Sequence, residues 1–142
     1  MLNNNNSILK RAFYLLCIGL SFGCSSFLAY AGDVAIHSAN FERKENGLWR
    51  VSVTLKHNDE GWNHYADRWR IVDEEGLQLA IRVLQHPHQQ EQPFTRSLTN
   101  VGIPKDARYV YVEAGDNKHG WTKKRLKVDL NKVVNGKLRA KP

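Results

Sequence analysis

Between Trp49 and Lys56 every second residue is apolar. Trp49, Val51, Val53 and Leu55 alternate with Arg50, Ser52, Thr54 and Lys56. Period two puts one set on each face of a pleated strand and matches no helix. The same alternation runs through the rest of the chain. Val34 and Ile36 begin a first strand that ends near Phe41. Tyr65, Asp67, Trp69 and Ile71 share a predicted inward face, with Ala66, Arg68 and Arg70 opposite. Leu77, Leu79, Ile81 and Val83 form a fourth series, and Phe94 and Leu98 mark a short fifth strand. Val110, Val112 and Ala114 alternate with Tyr109, Tyr111 and Glu113, and Leu126, Val128 and Leu130 close the pattern. Glu45-Asn46-Gly47, Glu74-Glu75-Gly76 and Ile103-Pro104-Lys105-Asp106 are turn signals between these runs. Seven short strands without an amphipathic helix predict an all-β, seven-stranded antiparallel sandwich, immunoglobulin-like or fibronectin-III-like, with Trp69 packing the core from the third strand.

The chain's start reads differently. Lys10 and Arg11 precede an apolar run from Ala12 to Ala31 that ends in Ala29-Tyr30-Ala31. A basic start, an apolar middle and small residues at A-x-A predict a secretory signal peptide over residues 1–31, cleaved before Gly32. An uncleaved membrane anchor is the competing reading, since the run is nearly long enough to span a bilayer. Ser21-Phe22-Gly23 is a poor approach for lipid attachment at Cys24. Cleavage removes Cys17 and Cys24, the only cysteines, and Met1 is the only methionine. The mature chain then has no disulfide, and soft copper(I) or blue-copper sites are excluded by composition. About 110 remaining residues suffice for one domain with its own core, predicted over residues 32–134. Residues 135–142 read as a basic tail. The mature chain keeps a net positive charge that is spread out rather than clustered, so nucleic acid is not an expected partner and no stable membrane insertion is expected after cleavage. The expected location is periplasmic or secreted.

Five of the six histidines, His57, His64, His86, His88 and His119, fall beside or within three predicted loops. Strands of an antiparallel sandwich alternate in direction. The loops after the second, fourth and sixth strands therefore share one end, and these are the loops with histidines. His57 continues the inward series of the second strand and should point toward the core. His37 lies opposite Val34 and Ile36 and should be exposed. Neutral imidazole is the commonest protein metal ligand, so the pattern predicts one transition metal ion (iron, zinc or copper(II)) held by His57, His64, His119 and one of His86 and His88. Asp116, Asp67 and Glu91 are candidate carboxylate ligands, or acceptors that orient an imidazole. The competing reading is a metal-free module that binds another exported protein or a glycan through the loop aromatics Trp62, Tyr65 and Trp121. A hydrolase fits least: no serine sits in a G-x-S-x-G turn, although Glu60 or Glu91 could serve an open zinc position as base.

His57, then His64-Tyr65 and Trp69, and later Asp116-Asn117-Lys118-His119-Gly120, resemble the superoxide reductase (desulfoferrodoxin) iron domain. That family reads H-P-M-x-x-x-H-Y-x-x-W and then C-N-x-H-G at these places. The resemblance covers nearly the whole mature domain. It implies an immunoglobulin-like sandwich with a mononuclear iron held by four histidines and one cysteine, and by correspondence it makes His57, His64 and His119 ligands. Three features depart from the family. Asp116 stands where the family has its axial cysteine. The family's early Lys-His pair has no counterpart. His57 and His64 are one residue further apart, with Asn58-Asp59 in place of Pro-Met, and Trp69 likewise stands one residue further from Tyr65. Loss of the thiolate removes the ligand that tunes iron for one-electron transfer, so a binding or carrier role is expected before a superoxide-reducing enzyme.

Overall fold

The computed structural model describes residues 33–142; the predicted signal peptide, with Cys17 and Cys24, lies outside them. Nearly all of the regular structure is β. The strands are β1 (Ala35–Arg43), β2 (Trp49–Lys56), β3 (Ala66–Val72), β4 (Gln78–Val83), β5 (Phe94–Val101), β6 (Tyr109–Asp116), β7 (Gly120–Trp121), β8 (Leu126–Asp129) and β9 (Lys137–Ala140). A 3-10 turn, Leu130–Lys132, follows β8. Two antiparallel sheets result. One has the order β5-β2-β1-β9, and the other runs β4-β3-β6-β7, with β8 also on β6.

The two sheets close on one apolar core. Phe41, Val51, Val53 and Leu55 enter it from the first sheet, and Trp69, Ile71, Val110, Val112 and Val128 from the second. Each such side chain contributes roughly 1.5–3 kcal/mol by burial. Trp69 is completely buried, as its place on the third strand predicts.

Nine strands form among the described residues, two more than the alternation predicts. Strand β7 has only two residues, which pair with Gly115 and Asp116. The segment read as a basic tail carries β9, which pairs with Ala39–Glu42 of β1. Asn135 and Gly136 turn the chain there with positive φ, and Arg43 donates its N–H to the Gly136 carbonyl at 2.7 Å.

Two predicted faces are corrected. In β3 the register shifts between Ala66 and Arg68, opposite Asp116 and Gly115. A bulge there changes the phase of the alternation. Ala66, Trp69 and Ile71 point inward, while Tyr65 and Asp67 do not join them. In β4, Arg82 lies opposite Trp69 and Ala80 opposite Ile71, so these two share the inner face. Leu77, Ile81 and Val83 are consequently exposed, at 66%, 39% and 60%, and Leu79 is partly buried against the core. A one-residue change of register exchanges the faces of a strand, and β4, at a sheet edge, has a neighbour on one side only.

Candidate metal centre

The end of β2 delivers the first functional side chain. His57 follows Leu55 and Lys56, takes the next inward position and is buried. The chain then turns sharply. Asp59 donates its N–H back to the His57 carbonyl, and His64 donates to the carbonyl of Gly61, whose φ of +90° suits a residue without Cβ. Glu60 donates to the His64 carbonyl at 2.8 Å. This small closed loop returns His64 beside His57, with ring centroids 4.8 Å apart in an edge-to-face arrangement.

Asp59 organises the loop. Its carboxylate is fully buried, and Oδ1 accepts from His57 Nδ1 at 2.6 Å and from the Ala66 N–H at 3.0 Å. Oδ2 accepts from the His88 N–H at 2.6 Å. A carboxylate against Nδ1 keeps the ring proton on that nitrogen and leaves a lone pair on Nε2. Glu60 Oε2 lies 3.2 Å from His64 Nδ1 and acts in the same sense. The Nε2 atoms of both rings are buried and have no hydrogen-bond partner.

The third group comes from the other side of the sandwich. Asp116 ends β6, and its side chain is inaccessible to solvent. Its Oδ1 accepts the backbone N–H groups of Lys118 and His119 at 2.8 and 2.6 Å. Burial alone would raise its pKa. The two N–H bonds and the His119 ring outweigh that, and the carboxyl ionises below its ordinary value of 3.8. His64 Nε2 is 3.7 Å from Asp116 Oδ1, too long for a hydrogen bond. One ligand atom each from His57, His64 and Asp116 lie within 4.8 Å of one another, and this buried group could hold a metal ion.

His119 stands at the rim of the group, half exposed. Its Nδ1 lies 3.2 Å from both oxygens of Asp116, and its ring centroid is 4.9 Å from that of His64. Asn117 fixes the spacing between the two loops. Its Oδ1 accepts from the Tyr65 N–H at 2.9 Å, and its Nδ2 donates to the Trp62 carbonyl at 3.0 Å. The β6–β7 hairpin beneath is tight: a Cβ on Gly115 would meet the Gly120 carbonyl oxygen at 2.7 Å.

The remaining predicted residues lie elsewhere. His88 is buried, but its ring stacks on Phe94 with centroids 4.0 Å apart, and its Nδ1 is 3.9 Å from Asp59 Oδ2. Asp59 therefore stands between His57 and His88. His86 is exposed, with its ring 4.6 Å from that of His88 and its Nδ1 3.1 Å from the Pro87 carbonyl. This pair stands outside the His57–His64–Asp116 group. Asp67, displaced by the bulge, pairs with Arg68 at 2.8 Å. Glu91 makes a two-point pair with Arg96, whose hydrogen bonds hold its carboxyl below the ordinary range. Among the aromatics, Trp62 is 67% exposed and packs edge-on against Tyr65. Trp121 lies under the guanidinium of Arg70 at 4.1 Å, on the sheet face shared with Arg68. His37 is exposed, as predicted.

Asp59 and Asn117 are the residues that pattern reading passes over. An acid two positions after an inward histidine, on a turn, is the signal that would have found Asp59.

No family model matches the chain, and no solved structure does. The chain is 37% identical over 97 residues, 68% of its length, to a protein of Halomicrobium mukohataei described as a "Putative lipoprotein"; it spans 45% of that protein's length.

Proposed function

We propose that the protein is a small exported domain that holds one divalent transition metal ion through His57 Nε2, His64 Nε2 and the Asp116 carboxylate, with His119 at the rim able to become a fourth donor when its Nδ1 gives up its hydrogen bond to Asp116. The observation that carries this reading is the pair of unpartnered, buried Nε2 atoms facing an ionised carboxylate. Three acceptors converge where no proton is shared among them. The two Nε2 atoms, buried without a partner, each cost roughly 1–3 kcal/mol, and a cation beside the Asp116 carboxylate would satisfy both. Imidazole with carboxylate suits zinc, copper(II) or ferrous iron.

The residues have distinct tasks. Asp59 and Glu60 hold protons on the Nδ1 atoms and aim the lone pairs at Nε2. The backbone N–H groups of Lys118 and His119 keep Asp116 ionised. Asn117 ties the β2–β3 loop to the β6–β7 loop, so the donors approach as a preformed set. The bound ion would supply Lewis acidity or, as iron or copper, a redox centre.

Kinship with superoxide reductase is supported by His57, His64-Tyr65 and Asn117-Lys118-His119-Gly120. The division of strands, β5-β2-β1 against β4-β3-β6-β8, supports an immunoglobulin-like class. With Asp116 in the thiolate's place, metal binding or carriage is the favoured role. Export is supported by the basic and apolar start with its A-x-A site and by the description of the relative. Among the described residues no helix is long and apolar enough to cross a membrane.

The test is calorimetric titration of the metal-free protein with zinc and copper(II). One ion per chain is expected, and His64→Ala combined with His119→Ala should abolish saturable binding. A wild-type protein that shows no saturable binding of zinc, copper(II) or ferrous iron removes the proposal. For the kinship, iron-loaded protein that reduces superoxide no faster than free iron rejects the activity.

A further inference from the structure

The two histidines outside the proposed metal centre, His86 and His88, border a cavity of about 190 Å³. Its wall also includes Arg82 from β4 and Arg96 from β5, so two arginines line one small space. Arg82 is on the inner face of its strand, opposite Trp69. Its Nε is buried and has no hydrogen-bond partner. Among the described residues no carboxylate pairs with it, whereas Arg68, Arg70 and Arg96 each have one. His88 is 4% exposed, and both of its ring nitrogens are buried without a partner.

Arg82 is half-buried and has no carboxylate partner, and a charge partly withdrawn from water favours an anion beside it. The nearby acids do not compensate. Glu91 is committed to Arg96 through both oxygens. Asp59 already accepts three hydrogen bonds, and its Oδ2 is 3.9 Å from His88 Nδ1. The His88 ring is fixed in place by its stacking on Phe94 and by its backbone bond to Asp59. Burial, helped by Arg96 and His86, lowers its pKa below 6.5, so the ring is neutral at pH 7 and adds no positive charge to the wall.

We infer that this cavity is a binding site for a small oxyanion, a phosphate or a carboxylate, with the Arg82 guanidinium as the principal donor and Arg96 as a flanking cation. Guanidinium presents N–H groups in a fork that fits such oxygens, and hydrogen bonds to a charged partner are the stronger kind. The cavity has room for a tetrahedral anion with accompanying water. The site is independent of the proposed metal centre: Asp59 separates the two, and His88 contributes its backbone to one and its ring to the other.

Titration of the purified protein with inorganic phosphate, followed by calorimetry and by the Nε–H resonance of Arg82, tests this. Saturable binding that shifts that resonance is expected. Arg82→Gln should weaken it about tenfold or more, with Arg96→Gln doing so less steeply. A parallel titration with acetate separates a phosphate ligand from a carboxylate one. Arg82→Lys, which keeps charge and stem but lacks the Nε–H, serves if the glutamine variant fails to fold. His64→Ala should bind phosphate as the wild type does, whatever becomes of metal binding. The inference is overturned if neither anion binds saturably, if Arg82→Gln binds as tightly as the wild type, or if zinc moves the His86 and His88 resonances while phosphate leaves Arg82 unmoved.

Discussion

Replacing Asp59 by Asn tests the architecture of the centre at its buried anchor. The two side chains are nearly the same shape, so packing is kept and chemistry changes. The wild-type carboxylate accepts from His57 Nδ1, the Ala66 N–H and the His88 N–H at 2.6, 3.0 and 2.6 Å. Asparagine has one oxygen. That oxygen can serve His57 and Ala66, but the amide then points its own N–H groups at the His88 N–H. One hydrogen bond to a charged acceptor is lost and a buried donor is left unmet, a loss of about 3 kcal/mol in all. For a domain of this size that is a fall in melting temperature of roughly 10–20 °C. Metal affinity should fall about 10–100-fold, because a neutral amide holds the His57 proton on Nδ1 less firmly. Thermal unfolding of the metal-free protein reads the first quantity, and zinc competition against a chelator reads the second. The ¹⁵N shifts of the His57 ring report the tautomer directly: Nδ1–H in the wild type, a mixture in the variant. A variant whose melting temperature, zinc affinity and ring shifts all match the wild type would refute this account of Asp59.

Two further outcomes follow from the same geometry. His88 has its pKa lowered below 6.5, chiefly by burial; the unfolded chain therefore binds a proton more readily, and stability present above pH 6.5 is lost as the pH falls below it. Asp116 adds a second loss, below pH 3.8, as its lowered carboxyl is protonated. Denaturant unfolding across that range should show both, and His88→Phe, which can keep the stack on Phe94, should flatten the first; an unchanged profile would count against it. Gly115→Ala would bring a Cβ to 2.7 Å from the Gly120 carbonyl oxygen, so the hairpin must open, at a cost of about 1–3 kcal/mol. Since that hairpin carries Asp116 and His119, zinc affinity measured by calorimetry should fall as well, and undiminished affinity would show that the hairpin does not set the donor positions.

The alternation of β2 and β6 was legible because period two reports a half-buried strand wherever the pleat is unbroken. It also put His57 inward, and the parity of strand direction put the histidine loops at one end. That reasoning reached His57, His64, His119 and Asp116. It failed where the pleat breaks or has only one neighbour. At Ala66–Arg68 an extra residue changes the phase, so Ala66 turns inward and Asp67 leaves for Arg68. In β4 the pairing with β3 places Ala80 and Arg82 inside and Ile81 and Val83 outside, against their hydropathy. The C-terminal segment became a strand because β1 had a free edge to offer. The division of the histidines between two places also belongs to tertiary structure. Asp59 collects N–H donors from three separate segments and thereby fixes His57 on one side and His88 on the other. Local periodicity encodes which face a residue prefers; which distant backbone group satisfies a buried carboxylate is decided only when the sheets close.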